Sequence, residues 1–382
     1  MAKLLETVDL VTNFYTYEGV VKALNKVSLV VDHGSTFGLV GESGCGKSVT
    51  VRSIMRIVQE PGRIEGGKVI VYLDESDRRA GIDLLEQSEA YMESLRGDRI
   101  SMIFQEPNAA LNPTLSIGDQ VSESFLFHQK KEMFTKIYED LCAPECQVLY
   151  PLKKIQQAVY GMASNNPHAV SLKIMNKVPI LKHWQKRLKR EAKKRAIDII
   201  GKLGIPNPAQ VIEQYPHNLS GGMKQRIVIA IALACNPVLL IADEATSNLD
   251  VTIQAQILEL LRRLKEDVIS SILLITHDLG VVAETCDRVG VMYAGNLCEV
   301  ADVRELFGNP FHPYTRALLE AVPKFSVIKE LKSIEGNVPN LVTPPPGCRF
   351  HPRCPHAMGI CRETFPEMKE VEKEHMVACY LY

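Results

Sequence analysis

The sequence predicts an α/β fold in which a central sheet carries a glycine-rich loop, and three observations predict it. A short apolar run at 37–40 leads directly into the loop GESGCGKS at 41–48, and a helix-like pattern follows. Two more apolar runs, 238–242 and 272–275, have the character of buried strands, and each is followed by polar or charged residues. Because ligands of open α/β sheets bind beyond the carboxyl ends of the strands, the three runs point to one site.

The loop at 41–48 matches the pattern G-x4-G-K-[ST], which holds nucleotide phosphates. Its glycines allow a tight turn that points backbone N–H groups inward, and the following helix presents its positive end to an anion. The lysine then reaches the β- and γ-phosphates, and the serine hydroxyl can bind Mg²⁺. The loop therefore predicts a site for a nucleoside triphosphate. Its expected contacts are Gly41, Ser43, Gly44, Cys45, Gly46, Lys47, Ser48 and Val49.

Length and composition are those of a protein with two or three domains: 382 residues, 46% apolar and 23% charged. A net charge of −1 argues against a surface that coats nucleic acid. No apolar run reaches the roughly 18 residues of a membrane span, and the N-terminus lacks the apolar core of a signal peptide. We therefore expect a cytoplasmic chain whose membrane role, if it has one, comes through partners.

The residues before the loop predict an antiparallel sheet, with β-like runs at 10–17 and 27–31. An aromatic side chain in this region could stack on a purine base. Tyr17 is the best placed by its distance from the loop, and Tyr15 and Phe14 are the alternatives. An ordinary core aromatic fits the pattern equally well.

Polar side chains are expected at the carboxyl ends of three strands. Gln105 follows the run 99–104 and could bind Mg²⁺ and order an attacking water. Asp243 would hold Mg²⁺ through water, and Glu244 would polarise the water that attacks the γ-phosphate. His277 could hydrogen-bond the γ-phosphate and the Glu244 side chain. Taken singly, Gln105 and His277 are also typical of ordinary polar residues at strand ends.

From about 111 to 234 the hydrophobic period becomes helical. The basic run at 182–195 is compatible with a solvated helix face, with phospholipid headgroups or with an acidic partner. Ser220 is a good N-cap, and the amides of Gly221 and Gly222 stand at the positive end of an apolar helix. This is a second anion site without a lysine, although a capped helix alone would also explain the pattern.

Four cysteines crowd into the last 35 residues, behind a proline-bearing linker at 323–347. They are separated by 5, 6 and 17 residues. In a reducing compartment such a cluster favours a metal site over disulfides, and the spacing alone does not separate zinc from iron and sulfide. Free or paired thiols are the remaining alternative. The cysteines are Cys348, Cys354, Cys361 and Cys379.

Six segments follow one another in a fixed order: GESGCGKS, Gln105, LSGGMKQR at 219–226, Asp243-Glu244, SNLD at 247–250 and His277. In this order and spacing they resemble the ATPase subunits of ABC transporters. The phrases MIFQEPNAALNPTLSIGDQV, QYPHNLSGGMKQR and GNPFHPYTRALLEAVP are similar to those of the oligopeptide/dipeptide-importer branch. The resemblance covers nearly the whole chain.

The resemblance implies a RecA-like P-loop ATPase core with an N-terminal antiparallel β subdomain, a helical subdomain and a C-terminal cysteine-rich, metal-binding tail. The expected boundaries place the first part of the core at 1–105 and the second part at 237–300. The helical subdomain would span 106–236, with an insertion near 129–186. A C-terminal extension would follow at 301–382.

The resemblance also assigns roles to the residues singled out above. Glu244, His277 and Gln105 would be catalytic. Mg²⁺ would be held by Ser48, Gln105 and Asp243, and the four cysteines would hold a [4Fe-4S] cluster, with zinc as the alternative. ATP would lie between the loop of one subunit and the LSGGMKQR segment of a second subunit, in a head-to-tail dimer with the 247–250 segment along the interface. The nucleotide contacts in that segment would be Ser220, Gly221 and Gly222.

The partners implied are a second ATPase subunit, usually a paralogue in this branch, two transmembrane permease subunits and an extracytoplasmic solute-binding protein. The chain would act peripherally at the cytoplasmic face of the cell membrane, without nucleic acid. Its cargo would be oligopeptides or dipeptides, with oligosaccharides or metal chelates as alternatives. A different class, a soluble ABC-type ATPase acting on nucleic acid, usually has two cassettes or a long DNA-binding insertion, whereas this sequence has one loop and one LSGGMKQR segment.

Overall fold

The structure of the chain is a computed structural model, which describes residues 2–73, 81–143, 150–165, 184–245, 250–267, 271–321 and 334–382. The chain divides into a larger unit, Met1–Gln105 together with Val238–Tyr382, and a smaller unit, Glu106–Pro237. Within these described ranges no helix is both long enough and apolar enough to cross a membrane.

The strands of the described residues all belong to the larger unit and form two sheets. In chain order they are β1 (Lys3–Thr16), β2 (Gly19–Asp32), β3 (Thr36–Val40), β4 (Gly62–Val71), β5 (Ile82–Asp83), β6 (Ile100–Ile103), β7 (Leu239–Asp243), β8 (Ser271–Ile275), β9 (Arg288–Tyr293), β10 (Asn296–Asp302), β11 (Lys369–Glu372) and β12 (His375–Val377).

The α-helices of the described residues lie in both units. In chain order they are α1 (Lys47–Ile54), α2 (Glu89–Leu95), α3 (Pro107–Ala110), α4 (Ile117–His128), α5 (Lys130–Cys142), α6 (Tyr150–Asn165), α7 (Trp184–Lys202), α8 (Pro208–Val211), α9 (Gly221–Leu233), α10 (Val251–Asp267), α11 (Leu279–Thr285), α12 (Val303–Gly308) and α13 (Pro313–Glu320).

The larger sheet has the strand order β11-β12-β10-β9-β3-β8-β7-β6, and the strands from β9 to β6 are parallel. Strands β3, β7 and β8 are buried along their whole length, as their largely apolar sequences require. Since parallel strands end at one edge, the residues that follow β3, β6, β7 and β8 lie along that edge. The predicted α/β fold is confirmed.

The smaller sheet has the order β2-β1-β4-β5 and is antiparallel throughout. It contains the antiparallel sheet that the sequence predicts ahead of the loop. Both sheets and α1 share one hydrophobic core. Leu10 of β1, Leu39 of β3, Ile54 of α1 and Leu273 of β8 are all fully buried in it.

The C-terminal extension adds two strands to the larger sheet. Strand β12 pairs antiparallel with β10, Glu299 lying opposite Val377. Beside this pairing, the buried Glu299 carboxylate lies 2.7 Å from His375 Nε2. The cysteine segment at 348–379 is too short for a core of its own. It packs as part of the larger unit, in which Phe350 and Val377 are buried.

The smaller unit contains helices α3 to α9 and, in its described residues, no strand. Helices α5 and α6, within the expected insertion at 129–186, pack together through Phe134 and Tyr160, whose ring centroids are 6.2 Å apart. The rest of that insertion, 144–149 and 166–183, lies outside the described residues. The basic run continues into α7, where the buried Glu191 carboxylate pairs with Lys136 Nζ of α5 at 2.9 Å.

Candidate active site

The glycine-rich loop, residues 41–48, joins β3 to α1 and leaves no room for a side chain at two positions. Gly41 has a φ of 151°, and a Cβ there would lie 2.1 Å from the Met292 carbonyl oxygen. Gly46 has a φ of 105°, and a Cβ there would lie 2.9 Å from the Ala23 carbonyl oxygen. Both obstacles are backbone atoms, which cannot rotate away. We refer to this segment below as the phosphate-binding loop.

Lys47 lies at the centre of the phosphate-binding loop. Its ammonium donates hydrogen bonds to the carbonyl oxygens of Gly41 at 2.8 Å and Glu42 at 3.0 Å. The Cys45 thiol lies 3.7 Å away, and burial raises its pKa, so it stays protonated beside the lysine. The N-cap residue of α1 is Gly46, which has no side chain to cap the helix. The first amides of this helix and the Lys47 ammonium therefore form a positive site suited to phosphate.

A pair of oxygen ligands lies next to the loop. Ser48 Oγ donates to Asp243 Oδ1 at 2.8 Å, which joins the start of α1 to the end of β7. Asp243 is 1% exposed; burial raises the pKa of its carboxyl group, and the hydrogen bond from Ser48 acts in the opposite direction. Hydroxyl and carboxylate oxygens are the ligand type that Mg²⁺ prefers. The donor set thus fits a magnesium ion.

The Glu244 carboxylate is held between residues from two other strand ends. Gln105 Nε2 donates to Glu244 Oε2 at 2.7 Å, and His277 Nδ1 lies 3.4 Å from Glu244 Oε1. The Glu244 backbone has a φ of 48°, in the left-handed region, and its N–H donates to the Ile275 carbonyl oxygen at 2.9 Å. A left-handed backbone conformation is energetically costly for a glutamate. Residues in such conformations cluster at functional sites, where the surrounding structure holds them in place. The structure thus brings Gln105, Glu244 and His277 together.

The three candidate aromatics differ in their surroundings. Tyr17, in the turn between β1 and β2, is 98% exposed. The Tyr15 hydroxyl donates to Glu65 at 2.8 Å, and Arg63 lies over the Tyr15 ring, 5.6 Å from its centroid. Phe14 packs against Gly62, where a Cβ would lie 2.6 Å from the Phe14 ring. Tyr17 is therefore the most exposed of these three residues, whereas Tyr15 is 44% exposed and has Arg63 over its ring.

The LSGGMKQR segment begins α9 in the smaller unit. Ser220 has extended backbone angles, and its hydroxyl accepts a hydrogen bond from the Met223 N–H, as an N-cap residue does. Among the described residues, a Cβ added at Gly221 would meet no heavy atom within 4 Å other than its chain neighbours and its own helix backbone. The start of α9 therefore has space beside Gly221, while the Met223 N–H is already bonded to Ser220. In the SNLD segment, Asp250 caps α10 through the Ile253 N–H at 2.9 Å, and 247–249 lie outside the described residues.

A family model described as ABC transporter matches residues 24–247, from β2 through the phosphate-binding loop and LSGGMKQR to the residues after Glu244. The chain belongs to the ABC transporter family. A second model, described as the C-terminal region of oligopeptide/dipeptide transporters, matches residues 298–361. The two matches lie in order along one chain and together include both units.

Relatives that match this chain over nearly their whole length are named for peptide transport. The dipeptide transport ATP-binding protein DppD of Bacillus subtilis is 39% identical, over 100% of this chain and 95% of the relative. The oligopeptide transport ATP-binding protein AppD of the same organism is 40% identical, over 100% of this chain and 98% of the relative. A solved dimer of the ATP-binding cassette MJ0796 with ADP and Pi is 21% identical, with a TM-score of 0.54 over 79% of this chain and 99% of the other, which shows the shared fold.

The cysteine-rich part of this ABC family chain gives a mixed outcome. Its four cysteines line one cavity of about 20 Å³, together with His312, His351 and His356. Burial raises the pKa of Cys348 to about 11, and the other three cysteines act in the same direction. Among the described residues, however, no three His, Cys, Asp or Glu side chains are arranged to hold a metal ion. The expected metal-binding tail is therefore not supported by ligand geometry, because proximity around a cavity is less than coordination.

Two residues that contact the phosphate-binding loop were missed by the sequence analysis. The Tyr314 hydroxyl accepts a hydrogen bond from the Glu42 N–H at 2.9 Å, and Arg353 pairs with the Glu42 carboxylate. Both belong to the C-terminal extension. Tyr314 lies within GNPFHPYTRALLEAVP, but no local pattern identifies either residue as a partner of Glu42, which is 272 positions from Tyr314 and 311 from Arg353.

Proposed function

We propose that this ABC family chain is the ATP-hydrolysing subunit of an importer that takes up oligopeptides or dipeptides through partner membrane subunits. The observation that carries the proposal is the Glu244 carboxylate, fixed between Gln105 and His277 beside the Ser48–Asp243 pair. The relatives named for dipeptide and oligopeptide transport support the choice of cargo.

ATP binding would use the positive site in the loop. Lys47 and the first amides of α1 would hold the β- and γ-phosphates, and in doing so Lys47 would exchange its carbonyl partners for phosphate oxygens. Ser48, Asp243 and Gln105 would hold Mg²⁺. When bound, the ion would neutralise charge on the β- and γ-phosphates.

Hydrolysis would depend on Glu244, which would accept a hydrogen bond from the attacking water and so orient it toward the γ-phosphate. Gln105 and His277 hold the two carboxylate oxygens from either side and so prevent the side chain from rotating away. His277, whose side chain is 62% exposed, would also reach the γ-phosphate.

We propose Tyr17 as the residue that stacks on adenine. Tyr17→Ala should weaken ATP binding about 10-fold, because an exposed ring that covers a base is lost. Tyr17→Phe keeps the ring and should bind as the unaltered protein does. Isothermal titration with ATP measures both. Equal affinity of Tyr17→Ala and the unaltered protein would assign the stacking role to another residue.

The second anion site would serve a second subunit. LSGGMKQR supplies amides and a hydroxyl but no ammonium at the phosphate. It would therefore complete a pocket whose lysine comes from a partner ATPase. We propose that the partner is a paralogue and that the two subunits form a head-to-tail dimer. The complete assembly would add two transmembrane permease subunits and an extracytoplasmic solute-binding protein. The chain would be a peripheral protein on the cytoplasmic face of the membrane.

ATP-dependent uptake tests the function. The complex of this chain with its permease and solute-binding partners should accumulate labelled dipeptides or oligopeptides in vesicles when ATP is supplied on this chain's side. The same complex carrying Glu244→Gln should bind the peptide outside and accumulate none. Uptake of oligosaccharides or metal chelates in place of peptides would overturn the cargo, and ATP-independent uptake would overturn the proposed role of the chain.

We further propose that the four cysteines hold a [4Fe-4S] cluster, with zinc as the alternative. Their position around one cavity supports this, since thiolates suit both groups. Protein purified without oxygen should contain about four iron and four sulfide per chain. Cys354→Ser should lose them, and Cys142→Ser, which alters an exposed thiol outside the extension, should keep them. Zinc at about one per chain without sulfide would select the alternative.

A further inference from the structure

Glu42, the second residue of the phosphate-binding loop, is held by an arginine of the C-terminal extension. Arg353 Nη1 donates to Glu42 Oε2 at 2.8 Å, and Arg353 Nη2 donates to Glu42 Oε1 at 3.2 Å. This two-pronged geometry is the most specific form of an arginine–carboxylate pair. The two residues are 311 positions apart, and the Arg353 side chain is 5% exposed.

Arg353 uses all the donors that a guanidinium has. Besides Glu42, it donates to the Tyr293 hydroxyl at 3.2 Å and to the carbonyl oxygens of Ile334 at 3.1 Å and Glu335 at 2.9 Å. These contacts make five hydrogen bonds, the number of N–H groups available. The guanidinium carbon also lies 5.7 Å from the centroid of the Tyr293 ring. The side chain is therefore fixed in one place and fixes Glu42 with it.

Glu42 transmits this contact to the lysine of the loop. Its carbonyl oxygen accepts a hydrogen bond from Lys47 Nζ at 3.0 Å, and its N–H donates to the Tyr314 hydroxyl at 2.9 Å. The side chain and the N–H of Glu42 are thus held by the C-terminal extension, while its carbonyl helps to hold Lys47. Movement of Glu42 would displace a carbonyl that positions the ammonium.

A second arginine supports the other end of the loop. Arg349, which is 5% exposed, donates to the carbonyl oxygens of Lys22, at 3.1 Å, and Ala294. Gly295, which follows Ala294 in the chain, donates a hydrogen bond from its N–H to the Cys45 carbonyl oxygen at 2.8 Å. The extension therefore contacts the loop directly at Glu42 and, through the turn between β9 and β10, at Cys45.

Both arginines lie on a short segment bounded by two of the four cysteines, residues 348–354. The chain turns tightly there, with the His351 N–H bonded to the Cys348 carbonyl oxygen at 3.0 Å and the Cys354 N–H bonded to the His351 carbonyl oxygen at 3.3 Å. Cys348 and Cys354 also line the same cavity, so both arginines lie on a segment whose two ends meet at that cavity.

We propose that Arg353 is a positioning residue through which the C-terminal extension holds the phosphate-binding loop in its nucleotide-binding shape. Nucleotide affinity then depends on the fold of the 348–354 segment. The inference rests on the proposed function, because it requires that the loop bind ATP. It goes beyond that function in making a part of the chain outside the ATPase motifs a determinant of affinity.

A double-mutant cycle on the full chain, read out as affinity for a fluorescent ATP analogue, tests the proposal. Arg353→Met removes the positive charge of the pair with little change in side-chain size. Glu42→Gln removes the negative charge of its partner. Each should weaken binding about 10-fold, and the double variant should bind no more weakly than Arg353→Met alone, because the Arg353–Glu42 pair can be lost only once. Arg362→Met, at an exposed arginine of the same extension, should bind as the unaltered protein does.

Further variants separate positioning from folding. Arg353→Lys keeps a charge but cannot form the two-pronged pair, so its affinity should lie between Arg353→Met and the unaltered protein. Cys354→Ser, which alters the end of the 348–354 segment, should weaken binding as Arg353→Met does, and the two changes together should not add. In the hydrolysing complex, Arg353→Met should raise the KM for ATP more than it lowers kcat. Thermal unfolding measured on each variant identifies any that fails to fold, in which case Glu42→Gln and Arg353→Lys still decide.

The outcomes are distinguishable from failure of the proposed function. If the unaltered chain binds the analogue and Lys47→Ala does not, the loop is a nucleotide site and the proposed function stands. Unchanged affinity in a folded Arg353→Met variant, or additive effects of Arg353→Met and Glu42→Gln, would then overturn the positioning role alone. If the unaltered chain does not bind the analogue, both the proposed function and this inference are overturned.

Discussion

Glu244→Gln should lower ATP turnover by at least about 100-fold while leaving ATP bound, because the amide keeps the shape of the side chain and loses the negative charge that orients and polarises water. The structure makes this replacement mild in other respects. Gln105 and His277 can still lie against the amide, and the left-handed backbone of residue 244 does not depend on the charge. Because the ATPase dimer would open only after hydrolysis, the variant should accumulate as an ATP-bound dimer. Size-exclusion chromatography with ATP present detects this dimer.

The matched control is Glu284→Gln, which changes an exposed carboxylate on α11 in the same unit. Its turnover should equal that of the unaltered protein. Steady-state hydrolysis that survives in Glu244→Gln would assign the role to another group, and loss of ATP binding in that variant would indicate a structural function for Glu244.

Gly221→Asp should lower the rate of ATP hydrolysis by the assembled pair on the order of 100-fold. ATP binding by the chain alone should not change. A carboxylate at the start of α9 would favour the helix itself, since negative charge is stabilising at a helix N-terminus. The added Cβ would have room, because in the described part of the chain no heavy atom beyond its chain neighbours and its own helix backbone lies within 4 Å of that position. The same charge would repel the γ-phosphate that a second subunit presents to these amides.

Gly221→Asn is the control, because it has the size of aspartate without the charge. ATP turnover is measured in the complex with the partner ATPase, with Glu244 left unaltered in this chain so that the pair can reopen after hydrolysis. Activity should persist with Asn and disappear with Asp. Equal activity of the two variants would show that these amides do not meet a phosphate.

Much of the site could be predicted because its residues follow buried strands. Gln105, Asp243 and His277 come just after or at the end of apolar runs, and parallel strands bring such positions to one edge whatever the details of packing. The distances among Gln105, Glu244 and His277 reflect this rule. The left-handed backbone of Glu244 could not be predicted, since no pattern in the sequence requires it.

The choice among aromatics also needed the structure. Tyr15 and Tyr17 are two residues apart in the same strand-and-turn segment, and the sequence does not distinguish them. The Tyr15 hydroxyl donates a hydrogen bond to Glu65, 50 positions away, and the Arg63 side chain lies over the Tyr15 ring. Tyr17 is 98% exposed. Likewise, spacing placed four cysteines in one segment, and the structure placed them around one cavity without completing a metal-binding arrangement.

The sequence by itself determined the phosphate-binding loop, the caps and the strand ends, because each depends on neighbouring residues and on backbone conformations that glycine, serine and aspartate favour locally. Only the tertiary structure decided how the C-terminal extension is used. Strand β12 joins β10, and Arg353 reaches Glu42 across 311 positions. Contacts of this kind form when distant segments bury their polar groups together, so the identity of each partner is set by the folded sheet and is absent from any local pattern.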